Sequence, residues 1–200
     1  MNKNKMISTA KFMNTGAKVV GGIFGAVAIV CAVFAVLVAV LGQQMFEAGS
    51  FTMELGYITL HMAQDFPADM EMMKWFACVG LVGVGIICFL VKRACVHLRT
   101  ILTPMEEGRP FEPDAPGSLR KIAWITLIGG AVFQILAIAE GFILTRVYPM
   151  DTIFASDAIE KVEYTFTMDF SFVWITCLIL FLSYIFSYGQ SLQQESDETL

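Results

Sequence analysis

The 200-residue chain is 56% apolar and 16% charged, with a mean hydropathy of +0.67 and a net charge of −5. That balance excludes a water-soluble globule of ordinary composition and an intrinsically disordered chain. The acidic charge also speaks against direct nucleic-acid binding, which needs a concentrated basic surface.

The first element is residues 16–42, an apolar run long enough to cross about 30 Å of hydrocarbon as a helix. It exceeds the core of a secretory signal and no small-x-small cleavage site stands out, so it is expected to remain as a first span. Three further runs, 75–91, 122–144 and 170–188, make four spans in a single membrane domain. The expected fold is all-α and transmembrane, a four-helix bundle, with outer segments 43–74 and 145–169 and a cytoplasmic loop 92–121.

Of the 13 basic residues, Lys3, Lys5, Lys11, Lys18, Lys92, Arg93, Arg99, Arg109, Arg120 and Lys121 fall on one side, and Lys74, Arg146 and Lys161 on the other. The excess predicts that both termini and the middle loop are cytoplasmic.

Within the first outer segment, Phe51, Met53, Leu55 and Tyr57 alternate with Thr52, Glu54 and Ile58. Before span four, Val162, Tyr164, Phe166 and Met168 alternate with Glu163, Thr165, Thr167 and Asp169. Both read as strands with one apolar face, and their pairing predicts a small extracellular β-strand element, an outer cap carrying Tyr57, Tyr164 and Phe166. Pro67, with Asp69 and Glu71 behind it, reads as the start of the helix that becomes span two.

Gly80, Gly83 and Gly85 allow close helix approach in span two. Glu140, late in span three, is the sharpest intramembrane feature, with Gln134 six residues earlier. A carboxylate there fits an interfacial packing role, helix pairing or ligand contact, and proton or ion coupling.

Cys31, Cys78, Cys88, Cys95 and Cys177 lie in or beside the spans, with no CxxC pair and no extracellular disulfide framework. His61, Met62 and the neighbouring outer methionines are ligand types for Cu(I), but without a convergent spacing they read as packing. No catalytic motif or phosphate loop is present, so no enzyme activity, metal or cofactor is expected.

The middle loop ILTPMEEGRPFEPDAPGSLRKIAW is broken by Pro104, Gly108, Pro110, Pro113, Pro116 and Gly117, with Ser118 placed to cap span three. The chain resembles the bacterial DUF2975 family of small four-span membrane proteins at Gly108, Pro110 and Phe111, and at Leu119, Arg120 and Ile122. It also resembles that family in the tail, at Phe186, Gly189, Leu192, Gln193, Glu195, Asp197, Glu198, Thr199 and Leu200. The resemblance implies a multi-pass protein of the bacterial cytoplasmic membrane that partners a small cytoplasmic helix-turn-helix transcription regulator. Gly108, Arg109, Pro110, Phe111, Glu195, Asp197 and Glu198 are the candidate partner-binding residues on that reading. The tail equally suits docking on the chain's own basic loop, or simple solvation. A non-enzymatic regulatory or sensory protein is thus the first functional expectation, and a small-solute or ion transporter using Glu140 and Gln134 the second. Unmatched strand edges and small residues leave room for a homodimer.

Overall fold

The computed structural model describes residues 3–47, 52–55, 58–61, 70–108, 114–147 and 167–198. Four helices account for most of them: α1 (Lys3–Glu47), α2 (Met70–Glu106), α3 (Asp114–Val147) and α4 (Ser171–Glu198). All four are long and apolar enough to cross a membrane, and the chain is a four-span, all-helical membrane protein.

The expected β element is corrected. The fold is all-α, and no strand joins the two outer segments among the described residues. The described strand residues form one local antiparallel hairpin, β1 (Thr52–Leu55) with β2 (Ile58–His61), in which Leu55 faces Ile58 and Thr52 faces His61. The segment expected to run unbroken from Phe51 to Ile58 therefore reverses after Leu55. Residues 167–170, expected to end the second strand, have no regular structure. Loop-closure entropy explains the preference, because a hairpin over two intervening residues closes a far smaller loop than pairing with a strand more than a hundred positions away. Tyr57, Tyr164 and Phe166, the expected cap residues, lie outside the described residues, as does Pro67.

The chain divides into two compact units. The first comprises residues 1–29, 85–134 and 168–200, and contains segments of all four helices. The second comprises residues 30–84 and 135–167, with segments of α1, α2 and α3 and the hairpin.

Helices outrun the apolar spans because nothing in the flanking sequence breaks them. α2 continues from Val91 through fifteen further residues, and Pro104 is tolerated because it lies in the last turn. The chain then stops at Gly108, whose φ of 79° is left-handed, while the Glu107 and Gly108 amides donate to the Pro104 and Met105 carbonyls at 3.1 and 3.2 Å. α3 starts at Asp114, an acidic first-turn residue, with Pro116 in that same turn. Ser118 is thus not the cap the sequence suggests; it sits inside the helix, 4% exposed. The expected loop 92–121 is mostly helix, and its non-helical described part is Glu107 and Gly108.

Within the first unit, α1 meets α2 along small residues. A Cβ at Gly21 would lie 3.1 Å from Cys95 Cβ, and one at Gly25 2.9 Å from Lys92 Cδ. Asn14 joins the same two helices, accepting from Arg99 Nε at 3.2 Å and donating to Thr103 Oγ1 at 3.5 Å. α4 turns Thr176 and Ser183 inward while Trp174, Leu178, Phe181 and Tyr184 are exposed. Small polar groups inside and large apolar ones outside is the inverse of a soluble helix, and suits a lipid surround. Ser183 Oγ donates to the Pro116 carbonyl at 2.9 Å, tying α4 to the first turn of α3. In the second unit, Cys78 Sγ approaches the Ala35 carbonyl at 3.8 Å, and Gly42 lies under the Lys74 stem.

Candidate functional site

The described residues selected from the sequence belong to the turn after α2, the end of α4, and two positions on α3. At the turn after α2, Gly108 is a helix terminator by its backbone angle, so its presence needs no partner to explain it. Arg109, Pro110 and Phe111 lie outside the described residues. At the other end of the chain, α4 stays helical through Glu198, and residues 191–195 and Glu198 are exposed. Glu195 and Glu198 therefore stand on a polar helical extension; the Asp197 side chain lies outside the described residues.

Gln134 belongs to the seat on which α4 begins. Its Nε2 donates to the Asp169 carbonyl at 2.7 Å. The Asp169 carboxylate in turn accepts from the Ser171 amide at 2.8 Å and from the Ser171 hydroxyl. These bonds, the hydroxyl's first, hold the Asp169 carboxyl below its ordinary range, because they are made to the charged form. The ring of Phe172 occupies the place a Cβ at Gly130 would take, so α3 must be glycine at that point for α4 to start where it does. The amide of Gln134 is thus already engaged in helix packing.

Glu140, half-buried on α3, lies over α2 in the second unit, where a Cβ at Gly80 would come 3.4 Å from its Oε1. One turn away, a Cβ at Gly83 would come 3.0 Å from Leu136 Cδ1. Two of the span-two glycines are therefore sites of close helix approach, and the carboxylate uses the space left by the first. No group of three His, Cys, Asp or Glu residues suited to a metal occurs among the described residues.

One cluster that the sequence names only as separate residues lies at the cytoplasmic end expected for α2 and α3. Arg93, His97 and Lys121 line a groove with Phe89, Leu90, Trp124 and Ile125. The signal is present as two helical spacings, Arg93 with His97 and Lys121 with Trp124 and Ile125, each placing its members on one face. From sequence His97 reads as an interfacial residue among basic neighbours and Lys121 as an anchor of the start of span three, and nothing there joins the two across the helices.

The model of the DUF2975 family, described as a protein of unknown function, matches residues 57–200, which is well over half of the chain. The chain belongs to the DUF2975 family. No curated protein and no solved structure matches it significantly. Membership in DUF2975 carries the four-span, helical membrane architecture and assigns no activity. The match takes in α2, α3 and α4, hence the Gly108 turn, the Gln134 seat, Glu140 and the acidic tail, and leaves α1 outside.

Proposed function

We propose that this DUF2975 protein is a non-enzymatic regulatory or sensory protein of the bacterial cytoplasmic membrane, with both termini and the Gly108 turn in the cytoplasm. On this reading, it offers the turn and the end of α4 to a cytoplasmic helix-turn-helix transcription regulator. The observation that carries the proposal is the continuation of α4 as an exposed, acidic helix to Glu198, beyond what a span requires. A helical arm of that kind presents carboxylates at fixed spacing, a recognition surface suited to a basic partner. The absence of any catalytic or phosphate-binding motif in the sequence supports a role in binding over one in chemistry.

Mild-detergent capture of the full chain from its native membrane, followed by mass spectrometry, tests this. A helix-turn-helix protein retained by the intact chain and lost on deletion of residues 193–200 is the expected result. Retention unchanged by the deletion removes the tail from the interface, and recovery of only a homo-oligomer counts against the regulator altogether.

A second reading, transport of an ion or small solute, rests on Glu140, for which no hydrogen-bond or ionic partner occurs among the described residues, set against a glycine in a neighbouring span. It predicts that Glu140→Gln abolishes a pH- or ion-dependent flux in reconstituted vesicles; wild-type vesicles without flux across a panel of ions and solutes would discard it.

A further inference from the structure

The groove between α2 and α3 in the first unit combines charge and shape in a way that neither regulation nor topology requires. Its volume is about 400 Å³, and its lining carries Arg93, His97 and Lys121 with no carboxylate. Burial first, and then the charges of Lys121 and Arg93, hold the His97 ring below its ordinary pKa. Three nitrogen donor groups from two helices thus converge without a counter-charge in the lining. Clustering like charges costs energy, so the arrangement is relieved by an anion.

The floor of the groove decides what kind of anion. Leu90 and Ile125 are shared with a second groove of about 420 Å³, which continues along Ile87, Gly129, Phe133 and Phe172. That second groove also takes in the polar group Gln134, Asp169 and Ser171 at the start of α4, and Gln134 lies thirteen residues along α3 from Lys121, a distance of about 20 Å at 1.5 Å per residue; the acyl chain is placed in the apolar part before that group. Trp124, exposed at the rim of the basic groove, has the amphipathic ring that settles at headgroup level. A soluble phosphate would use the cations and leave the apolar channel unfilled. An anionic phospholipid uses both, with its phosphate at Arg93, His97 and Lys121 and one acyl chain in the channel.

We propose that Arg93, His97 and Lys121 form a binding site for one anionic phospholipid, whose acyl chain lies in the apolar channel beginning at Leu90 and Ile125. The site is independent of the regulatory reading and of the tail.

The test uses the full chain with Trp75→Phe and Trp174→Phe, so that Trp124 is the one tryptophan, in phosphatidylcholine nanodiscs containing a small fraction of dibrominated phosphatidylglycerol. Quenching of Trp124 should exceed that by dibrominated phosphatidylcholine at equal fraction. Arg93→Gln and Lys121→Gln should each weaken the preference about fivefold, the loss expected for one basic residue at a membrane surface. Lys18→Gln and Arg120→Gln, at basic positions outside the groove lining, should leave it unchanged. Circular dichroism and size-exclusion profiles matching the parent identify variants that remain folded. A preference that survives loss of both groove cations, or falls equally with the control variants, overturns the site in favour of general surface attraction. Displacement of the brominated lipid by millimolar inorganic phosphate overturns the lipid assignment and makes the ligand a soluble anion.

Discussion

Asp169 and Ser183 show how single polar side chains anchor a helix whose outer surface is apolar. Asp169 is fully exposed at the entry to α4, and its carboxylate accepts from Ser171. The bonded form is the ionised one, so its folded-state pKa lies below the ordinary value near 3.9. The sign of the linkage follows: the contribution is fully present above the unfolded pKa and is lost as pH falls through the lower folded value. Amide exchange at Ser171 and Phe172 is therefore expected to stay slow from neutrality down to about pH 4 and to accelerate below that range. Asp169→Asn should flatten this acid response. Exchange that accelerates equally in the variant would mean that another group controls the helix start. Ser183, by contrast, is 1% exposed and its bond to the Pro116 carbonyl does not titrate, so it holds the other part of α4 independently of pH.

At the scale of elements, the four spans are legible because apolar runs of this length have no other economical use, and four helices of membrane-crossing length are found, the last beginning one residue after the expected Phe170. Helix ends are less legible. The stretch from Lys92 to Glu106 is polar enough to read as loop, yet it contains no breaker before Pro104, and a helix once nucleated continues until something stops it. The outer hairpin is hidden by its own periodicity: alternation from Thr52 to His61 runs almost unbroken through Gly56-Tyr57, a Gly-X pair of the kind that closes two-residue hairpins. The contact face of α1 is hidden differently. Ala17, Gly21, Phe24, Ala28, Cys31, Ala35, Val38 and Gly42 recur at alternating spacings of four and three, and none is exposed. Hydropathy cannot separate them from their lipid-facing neighbours, since both faces are apolar and small residues such as Gly22, Ala26, Ala32 and Ala39 are exposed as well. The contact face yields a prediction. A methyl at Gly21 meets Cys95 Cβ, which cannot swing aside, whereas one at Gly25 meets the flexible Lys92 stem. Gly21→Ala should lower the thermal midpoint in detergent, by about 1 kcal/mol of overpacking, and Gly25→Ala should be neutral or slightly stabilising. Equal effects would show that α1 and α2 do not meet along this stripe.

At the scale of the whole molecule, helix length and charge together determine what projects from the bilayer. α1 has 45 residues and α2 has 37, about 68 and 56 Å of helix at 1.5 Å per residue, against a hydrocarbon thickness of about 30 Å. Of the most apolar window, 22% is buried in α1 and 6% in α3, so lipid or a second copy must cover the remaining apolar surface. The excess length of α1 and α2 must then emerge. The basic residues Lys5, Lys11, Arg93 and Arg99 lie at one pair of ends, those joined by Asn14 and Arg99, whereas Arg146 ends α3 on the opposite side of its apolar run. If the basic ends are cytoplasmic, single cysteines introduced into a cysteine-free chain will divide cleanly. Arg146→Cys should react with a membrane-impermeant maleimide in intact cells, while Glu107→Cys and Glu198→Cys should react only after permeabilisation. The reverse pattern would invert the protein and remove the tail from reach of any cytoplasmic regulator. Labelling of all three positions in intact cells would show an assembly that does not separate the two sides.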